Sequence, residues 1–395
     1  MGPEGSRRKN MKKNLLAVLG MSSLMLIACK SGNEKPVSSG AGSDTLTMLV
    51  GSYASSAEEG IKIYRFNQET GESNYLSGLK GISNPSFLTV FPDVKKVYAV
   101  GEDETSQTAT ANALALDADS ARLTFLNTCL TRGGAPCHIA VSPDKRFVVT
   151  ANYMGGSITV FPLESSGRLG EGHLIPFTGK GPDESRQEQP HLHHIWFTPD
   201  GKLLLANDLG TDCIHAFPIN TAQISGNEGY LDEASAFDIP LPAASGPRHA
   251  CFDAEGKFAY VITELSGEVI VLSYDGNTLQ PVQRIQADSL GAKGSADIHL
   301  SPDGNFLYAS NRLKGDGLAI FKVSKNDGQL TKVGYQSTGL HPRNFILTPN
   351  GKYLLVACRD TNEIEVYLRN AQTGLLEDTG KRIAMSRPVC IRWVP

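Results

Sequence analysis

One phrase recurs along this chain, and its spacing leaves few folds open. Residues 84–102 read NPSFLTVFPDVKKVYAVGE, and related runs start at Ala135 (APCHIAVSPDKRFVVTANY), His191 (HLHHIWFTPDGKLLLANDLG), Gly246 (GPRHACFDAEGKFAYVITE), Gly294 (GSADIHLSPDGNFLYASNR) and His341 (HPRNFILTPNGKYLLVACR). The final residues, RPVCIRWVP, are the first half of the phrase alone. The first column of the alignment holds Pro85, Pro136, Leu192, Pro247, Ser295, Pro342 and Pro388, at intervals of 46 to 56 residues. Seven residues further on, without a gap, come Pro92, Pro143, Pro199, Ala254, Pro302, Pro349 and Pro395. A fixed register at this period marks an architecture of stacked units, none of which can bury its apolar face alone.

Each unit reads as four strands. An alternating apolar run leads through an Asp-Gly or related turn into a β-rich run, the signature of a hairpin. A third strand follows (SITVFPL, CIHAFPI, EVIVLSY, LAIFKV, EIEVYLR), and a Gly-Leu turn leads to a looser fourth. Gly (40) and Pro (21) are abundant and no long amphipathic helix is legible, so the fold class is all-β. Four-stranded units of this length predict a β-propeller. Six phrases are complete. The terminal VCIRWV lacks partners, whereas LTMLVGSY and GIKIYRFNQETG near the other end are partners that lack a first strand. Joining them closes a seven-bladed β-propeller over residues 45–395.

Residues 1–28 read as a leader to be set aside before fold reasoning. Met11-Lys12-Lys13-Asn14 is a positive start and Leu15–Ala28 an apolar run too short to span a bilayer as a helix. Leu26-Ile27-Ala28-Cys29 resembles a bacterial lipobox, so lipidation at Cys29, a Ser/Gly-rich tether over residues 29–44 and an envelope location are expected, on the periplasmic or surface face of a bacterial membrane. The membrane is expected to be met only through that anchor. The formal net charge is −4, and five of the cationic residues lie in the leader. An acidic propeller without basic runs argues against a nucleic-acid partner. The remaining six cysteines, Cys129, Cys137, Cys213, Cys251, Cys358 and Cys390, form no CxxC pair and no disulfide framework. A monomer is expected.

In a propeller the first strand of each blade lines the central channel, and the end of the second strand returns to the same rim. The position after the anchor reads Ser86, Cys137, His193, Arg248, Ala296, Arg343 and Val389. The next reads Phe87, His138, His194, His249, Asp297, Asn344 and Cys390. The second strands end on Glu102, Asn152, Asp208, Glu264, Arg312 and Arg359. Polar residues therefore gather at one channel mouth. Strict strand alternation puts His191 and His193 on one side and His194 on the other. A metal site would need ligand-type residues in the neighbouring blades, but His193 shares its column with Arg248 and Arg343. Guanidinium groups suit an anion, not a cation, so neither metal nor cofactor is expected at this mouth. His193 reads as an acid/base group beside an arginine cluster, His191 and His194 as hydrogen-bonded supports, and Arg248 and Glu264 as ends of one hairpin that can pair.

The ordered set GSYASSAEEGIKIYRF, HLHHIWFTPDGKLLLANDLG, GPRHACFDAEGKFAYVITELSGEV, ADIHLSPDGNFLYASNR and HPRNFILTPNGKYLLVA resembles the seven-bladed lactonase family over nearly all of residues 46–395. That family includes propeller-type 6-phosphogluconolactonases and a carboxy-cis,cis-muconate cyclase. The resemblance implies hydrolysis of a small anionic or sugar lactone, with His193 as base and Arg248, Glu264 and Arg312 around the substrate. Asp208, Arg343, His191 and His249 are expected beside them. A cycloisomerase of the muconate type, or a non-catalytic envelope propeller that docks a protein or glycan, are the alternatives. A leader and a cytosolic phosphosugar substrate conflict, so the resemblance is a firmer guide to fold and site than to the exact lactone.

Overall fold

The computed structural model describes residues 44–91, 95–117, 119–222 and 226–394. The expected leader, Cys29 and nearly all of the tether lie outside them. Among the described residues there is one short 3₁₀ turn, Glu233–Ser235, and everything else that is regular is strand. The strands form seven antiparallel four-stranded sheets.

Blade 1 is built from both ends of the chain. Pro388–Val394 is its inner strand, followed outward by Thr45–Ser52, Ile61–Asn67 and Ser73–Leu79. The join is antiparallel, with Met48 opposite Trp393 and Val50 opposite Ile391. The inner strands of blades 2 to 7 are Leu88–Val90, Pro136–Val141, Leu192–Phe197, Pro247–Phe252, Ile298–Leu300 and Pro342–Leu347. These are the runs that open each repeated phrase.

What holds the ring is apolar packing between blades. Leu49, Val97 and Ile139 unite blades 1, 2 and 3 in one cluster, and Val149 with Leu204 joins blades 3 and 4. Leu205 with Val261, Ile262 with Leu307, and Tyr308 with Val356 continue the series. Leu355 and Val50 complete it between blades 7 and 1. The middle strands are apolar on both faces because each sheet is covered on both sides, and this is why their patterns alternate so weakly.

A tyrosine on the second strand adds a polar link at several joins. The hydroxyls of Tyr98, Tyr260 and Tyr308 donate to the carbonyls of Gly167, Gly328 and Gly374 in the following blade, at 3.0, 3.0 and 2.7 Å. Gly328 and Gly374 have φ of 69° and 74°, and an added Cβ would meet the Phe258 or Phe306 ring at 2.4 or 2.3 Å. The Gly of the Gly-Leu turn is therefore demanded both by backbone conformation and by close approach. Tyr353 makes the corresponding reach across the ring closure, to Glu69 O at 3.2 Å. The six cysteines of the propeller are all free thiols.

Candidate functional site at the channel mouth

The inner strands do not run straight into the channel mouth. Leu192 pairs with Asp208 and His194 with Asn207, so His193 has no partner in the ladder. The same irregularity falls after Pro136, Pro247 and Pro342. A β-bulge adds a residue to one strand and re-aims its side chain. In blades 3, 4, 5 and 7 the re-aimed column contains Cys137, His193, Arg248 and Arg343. His191 and His193 both meet the Tyr153 ring, at 4.4 and 5.6 Å, as alternation expects, whereas His194 meets His138 at 4.3 Å. The rings of His193 and His194 also both come near that of His249, at 5.2 and 4.9 Å.

Glu264 is the electrostatic centre of the mouth. Its carboxylate, 7% exposed, accepts from Arg248 Nε at 2.8 Å and from Arg186 at 2.6 Å, and Arg312 lies 3.3 Å away. Burial pushes its pKa up, but Arg312, Arg248 and Arg186 outweigh that and hold it at about 2. The pairing of Arg248 with Glu264 expected from the hairpin is present. Arg248 also donates to Ala296 O at 2.6 Å. Arg312 donates to Gly294 O at 2.7 Å and to His341 Nε2 at 3.1 Å. These two side chains are 1% and 4% exposed, and they are held rigidly by fixed acceptors.

Arg343 differs from them. Its guanidinium lies 5.5 Å over the Tyr53 ring and makes no hydrogen bond or ion pair to any described residue. The Tyr53 hydroxyl donates to Glu102 at 3.0 Å, and Ser86 Oγ donates to the same carboxylate. Burial raises the pKa of Glu102 and the Arg343 charge lowers it, with burial prevailing. A half-buried, unpaired guanidinium presents five donors to an incoming anion.

His193 is 4% exposed, with its ring edge-on to Tyr153 at 5.6 Å, and its buried Nδ1 has no hydrogen-bond partner. Burial, then the charges of Arg248, His249 and Arg343, hold its pKa well below the ordinary histidine value. The imidazole is therefore held in its neutral form, which keeps one unprotonated ring nitrogen.

The other expected site residues support this group or lie behind it. His191 stacks on Tyr153 at 4.4 Å and contacts Tyr153 O and Glu188 through its two nitrogens, at 3.0 and 3.3 Å. The Asp208 carboxylate is fully buried and accepts from His191 N, Gly210 N, Thr211 Oγ1 and His215 Nε2. It fastens the backbone ahead of His193 and presents no free oxygen at the mouth. His249 lies one layer down the channel, with Nδ1 on Asp297 at 2.7 Å and Nε2 without a partner. That layer holds Phe87, His138, His194, His249, Asp297, Asn344 and Cys390, one residue from each blade, and all seven are buried. Asp297 is its hub, taking His249, His299, Asn344 and the Phe345 amide. Arg359 turns away to Asp360 at 2.6 Å.

Arg186, Tyr53 and Tyr153 escaped the sequence reading. Arg186 comes from the connection between blades 3 and 4, where Asp183 also reaches Lys293 before blade 6 at 2.7 Å and Gln187 bonds Leu209 O at 2.8 Å. That connection crosses the rim and delivers a third arginine to Glu264. The one available signal was length, since the interval from Pro136 to Leu192 is the longest of the series.

A closed seven-bladed β-propeller with a buried histidine and four arginines about one axial mouth defines the class: a common scaffold with a polar site grafted on it. Residues 47–393 match the family described as lactonase, 7-bladed beta-propeller, and the chain belongs to that family. It is 35% identical to a 6-phosphogluconolactonase of Bacillus subtilis over 355 residues, 87% of this chain and 97% of that one. Among solved structures, a candidate 6-phosphogluconolactonase from Bacteroides fragilis is 52% identical with a TM-score of 0.85, covering 89% of this chain and 98% of that one. A periplasmic gluconolactonase from Pseudomonas aeruginosa is 32% identical with a TM-score of 0.82, covering 89% and 99%.

Proposed function

We propose that the protein is a sugar-lactone hydrolase of the 6-phosphogluconolactonase type, acting at the channel mouth. The observation that carries this reading is the neutral, buried His193 with an unpartnered Nδ1 beside guanidinium groups, one of which, Arg343, is unpaired. Water attacks the lactone carbonyl carbon while His193 takes its proton. The oxyanion forms where Arg248 and Arg312 are already pointed, and their bonds to Glu264 and to backbone carbonyls remove any cost of reorganisation. The tetrahedral species collapses by breaking the ring C–O bond, and the proton on His193 passes to the departing alkoxide. The product is an open-chain aldonate. Arg343 suits a phosphate or carboxylate elsewhere on the substrate.

The test is steady-state hydrolysis of a panel of phosphorylated and unphosphorylated aldonolactones. His193→Ala should lower turnover by about 10²–10⁴-fold, the usual contribution of a placed general base, with a smaller change in KM. Near-normal turnover by that variant would end the assignment of the base.

The cellular setting is part of the same proposal. A lipobox ending in Cys29 supports a lipid-anchored envelope protein, and a structural relative that is a periplasmic gluconolactonase supports an extracytoplasmic substrate. No helix among the described residues is long and apolar enough to cross a membrane. Cys29→Ser should move the protein from the membrane to the soluble fraction or block its processing, and an unchanged fractionation would remove the anchor.

A further inference from the structure

Blade 4 carries a second cluster of chemistry-bearing side chains, away from the lactone mouth. Cys213 and His215 are two residues apart on its third strand, Cys213–Pro218, and so share one face. Asp238, on the outer strand Phe237–Pro240, stands directly opposite His215 in the ladder. One ligand-type atom from each of the three lies within 4.8 Å of the others, and no other such trio occurs among the described residues. We propose that Cys213, His215 and Asp238 bind a divalent transition-metal ion.

The imidazole is oriented for this role. Its Nε2 meets the buried Asp208 carboxylate at 3.3 Å, and its Nδ1 points at Asp238 Oδ1, 2.7 Å away. Between Asp208 and Asp238 the ring is held protonated, its pKa raised to about 10, and with an ion on Nδ1 the carboxylate behind it would fix the Nε2–H tautomer. Phe177 of the preceding blade connection stacks on the ring at 4.2 Å and 23°, so the plane is held from the side as well. Cys213 is buried, while the Asp238 side chain is exposed and free to swing the short distance that bond formation needs.

The three side chains line a cavity of about 630 Å³ with Thr178, Gly179 and Lys180, which leaves room for a water as fourth ligand. A thiolate, an imidazole and a carboxylate suit zinc or cobalt and do not suit magnesium or calcium. Binding releases the thiol proton of Cys213 and the proton that His215 Nδ1 shares with Asp238. Asp208 gains a second role from this geometry. It meets His215 on the nitrogen opposite the ion and also accepts from the backbone amide of His191. Hydrolysis itself needs no metal there.

The probe is cobalt(II), added to the full chain after chelator treatment. A thiolate ligand produces sulfur-to-cobalt charge-transfer absorption in the near ultraviolet. The wild type should bind one equivalent with that band, and zinc should displace it. Loss of an orienting partner alone costs about 10–100-fold in metal affinity, so Cys213→Ser should weaken binding by at least about tenfold and abolish the band. Asp238→Asn, a surface change that spares the fold, should keep the band and weaken affinity by about tenfold. Lactone turnover should be unchanged in Cys213→Ser. Absence of cobalt binding by the wild type, a band that persists in Cys213→Ser, or unaltered affinity in Asp238→Asn would each overturn the site.

Discussion

Replacing Glu264 by Gln removes one negative charge from among three guanidinium groups. Arg248, Arg186 and Arg312 then face one another across a nearly isosteric amide that can no longer neutralise them. Breaking a buried pair by removing one partner costs about 3–5 kcal/mol, because the remaining charge stays desolvated. The carboxylate supports the same figure. A group held at about 2 instead of 4.5 favours its ionised form by about 3 kcal/mol in the native state. Unfolding entropy of about 2 cal/mol/K per residue gives a propeller of this size a slope near 0.7 kcal/mol/K at its midpoint. The Tm should therefore fall by about 4–7 °C. The sign with pH is definite. A depressed carboxyl contributes stability that is complete above the unfolded value of 4.5 and is lost as pH falls through about 2, so wild type and variant should converge in acid. Calorimetry at pH 7 and pH 3 measures both. Phosphate should restore part of the lost Tm in the variant by binding beside the uncompensated guanidinium groups. A variant as stable as the wild type at pH 7, or a Tm deficit that persists unchanged at pH 3, would refute the electrostatic account.

Arg343→Ala should raise KM for a phosphorylated lactone by about tenfold or more, as for loss of a charge-assisted contact of about 1.5–3 kcal/mol. It should affect a neutral lactone little, and equal effects on both would place Arg343 outside anion recognition. His138, His194 and His249 are buried and neutral, with pKa values pushed down chiefly by burial, to about 4 for His249. Their contribution is complete above the ordinary value of 6.5 and is lost as pH falls below it, for His249 by up to about 3 kcal/mol near pH 4. The urea midpoint should therefore drop from pH 7.5 to 5 and drop less in His194→Gln; a flat profile counts against neutral burial. Deleting 388–395 strips the inner strand from blade 1 and bares the edge of Thr45–Ser52. Aggregation or loss of cooperative unfolding is expected, whereas wild-type unfolding by the deletion would mean that the ring does not depend on its closing strand.

The anchoring register alone determined the number of blades, the strand that lines the channel and the columns that meet at its mouth. Those features are local and repeated, so seven noisy copies of one pattern average into one clear one. Arg248 with Glu264 was legible for the same reason, since both ends of a hairpin can be counted from its turn. Other features depended on contacts between residues far apart in sequence. The bulge at His193 is a property of how the inner strand meets Asp208 and Asn207, and no residue in HLHHIWF announces it. Arg186 reaches Glu264 from a connection with no repeat pattern, 78 residues earlier in the chain. Asp208 looked like a mouth residue by its column, yet the His191 amide, the Gly210 amide, Thr211 and His215 saturate its oxygens and turn it inward. Tertiary structure alone decided which of the polar residues in a column spend their hydrogen bonds on the protein and which, like Arg343 and His193 Nδ1, keep them for something else. Periodicity places a side chain at a rim, but only packing determines whether its partners are already there.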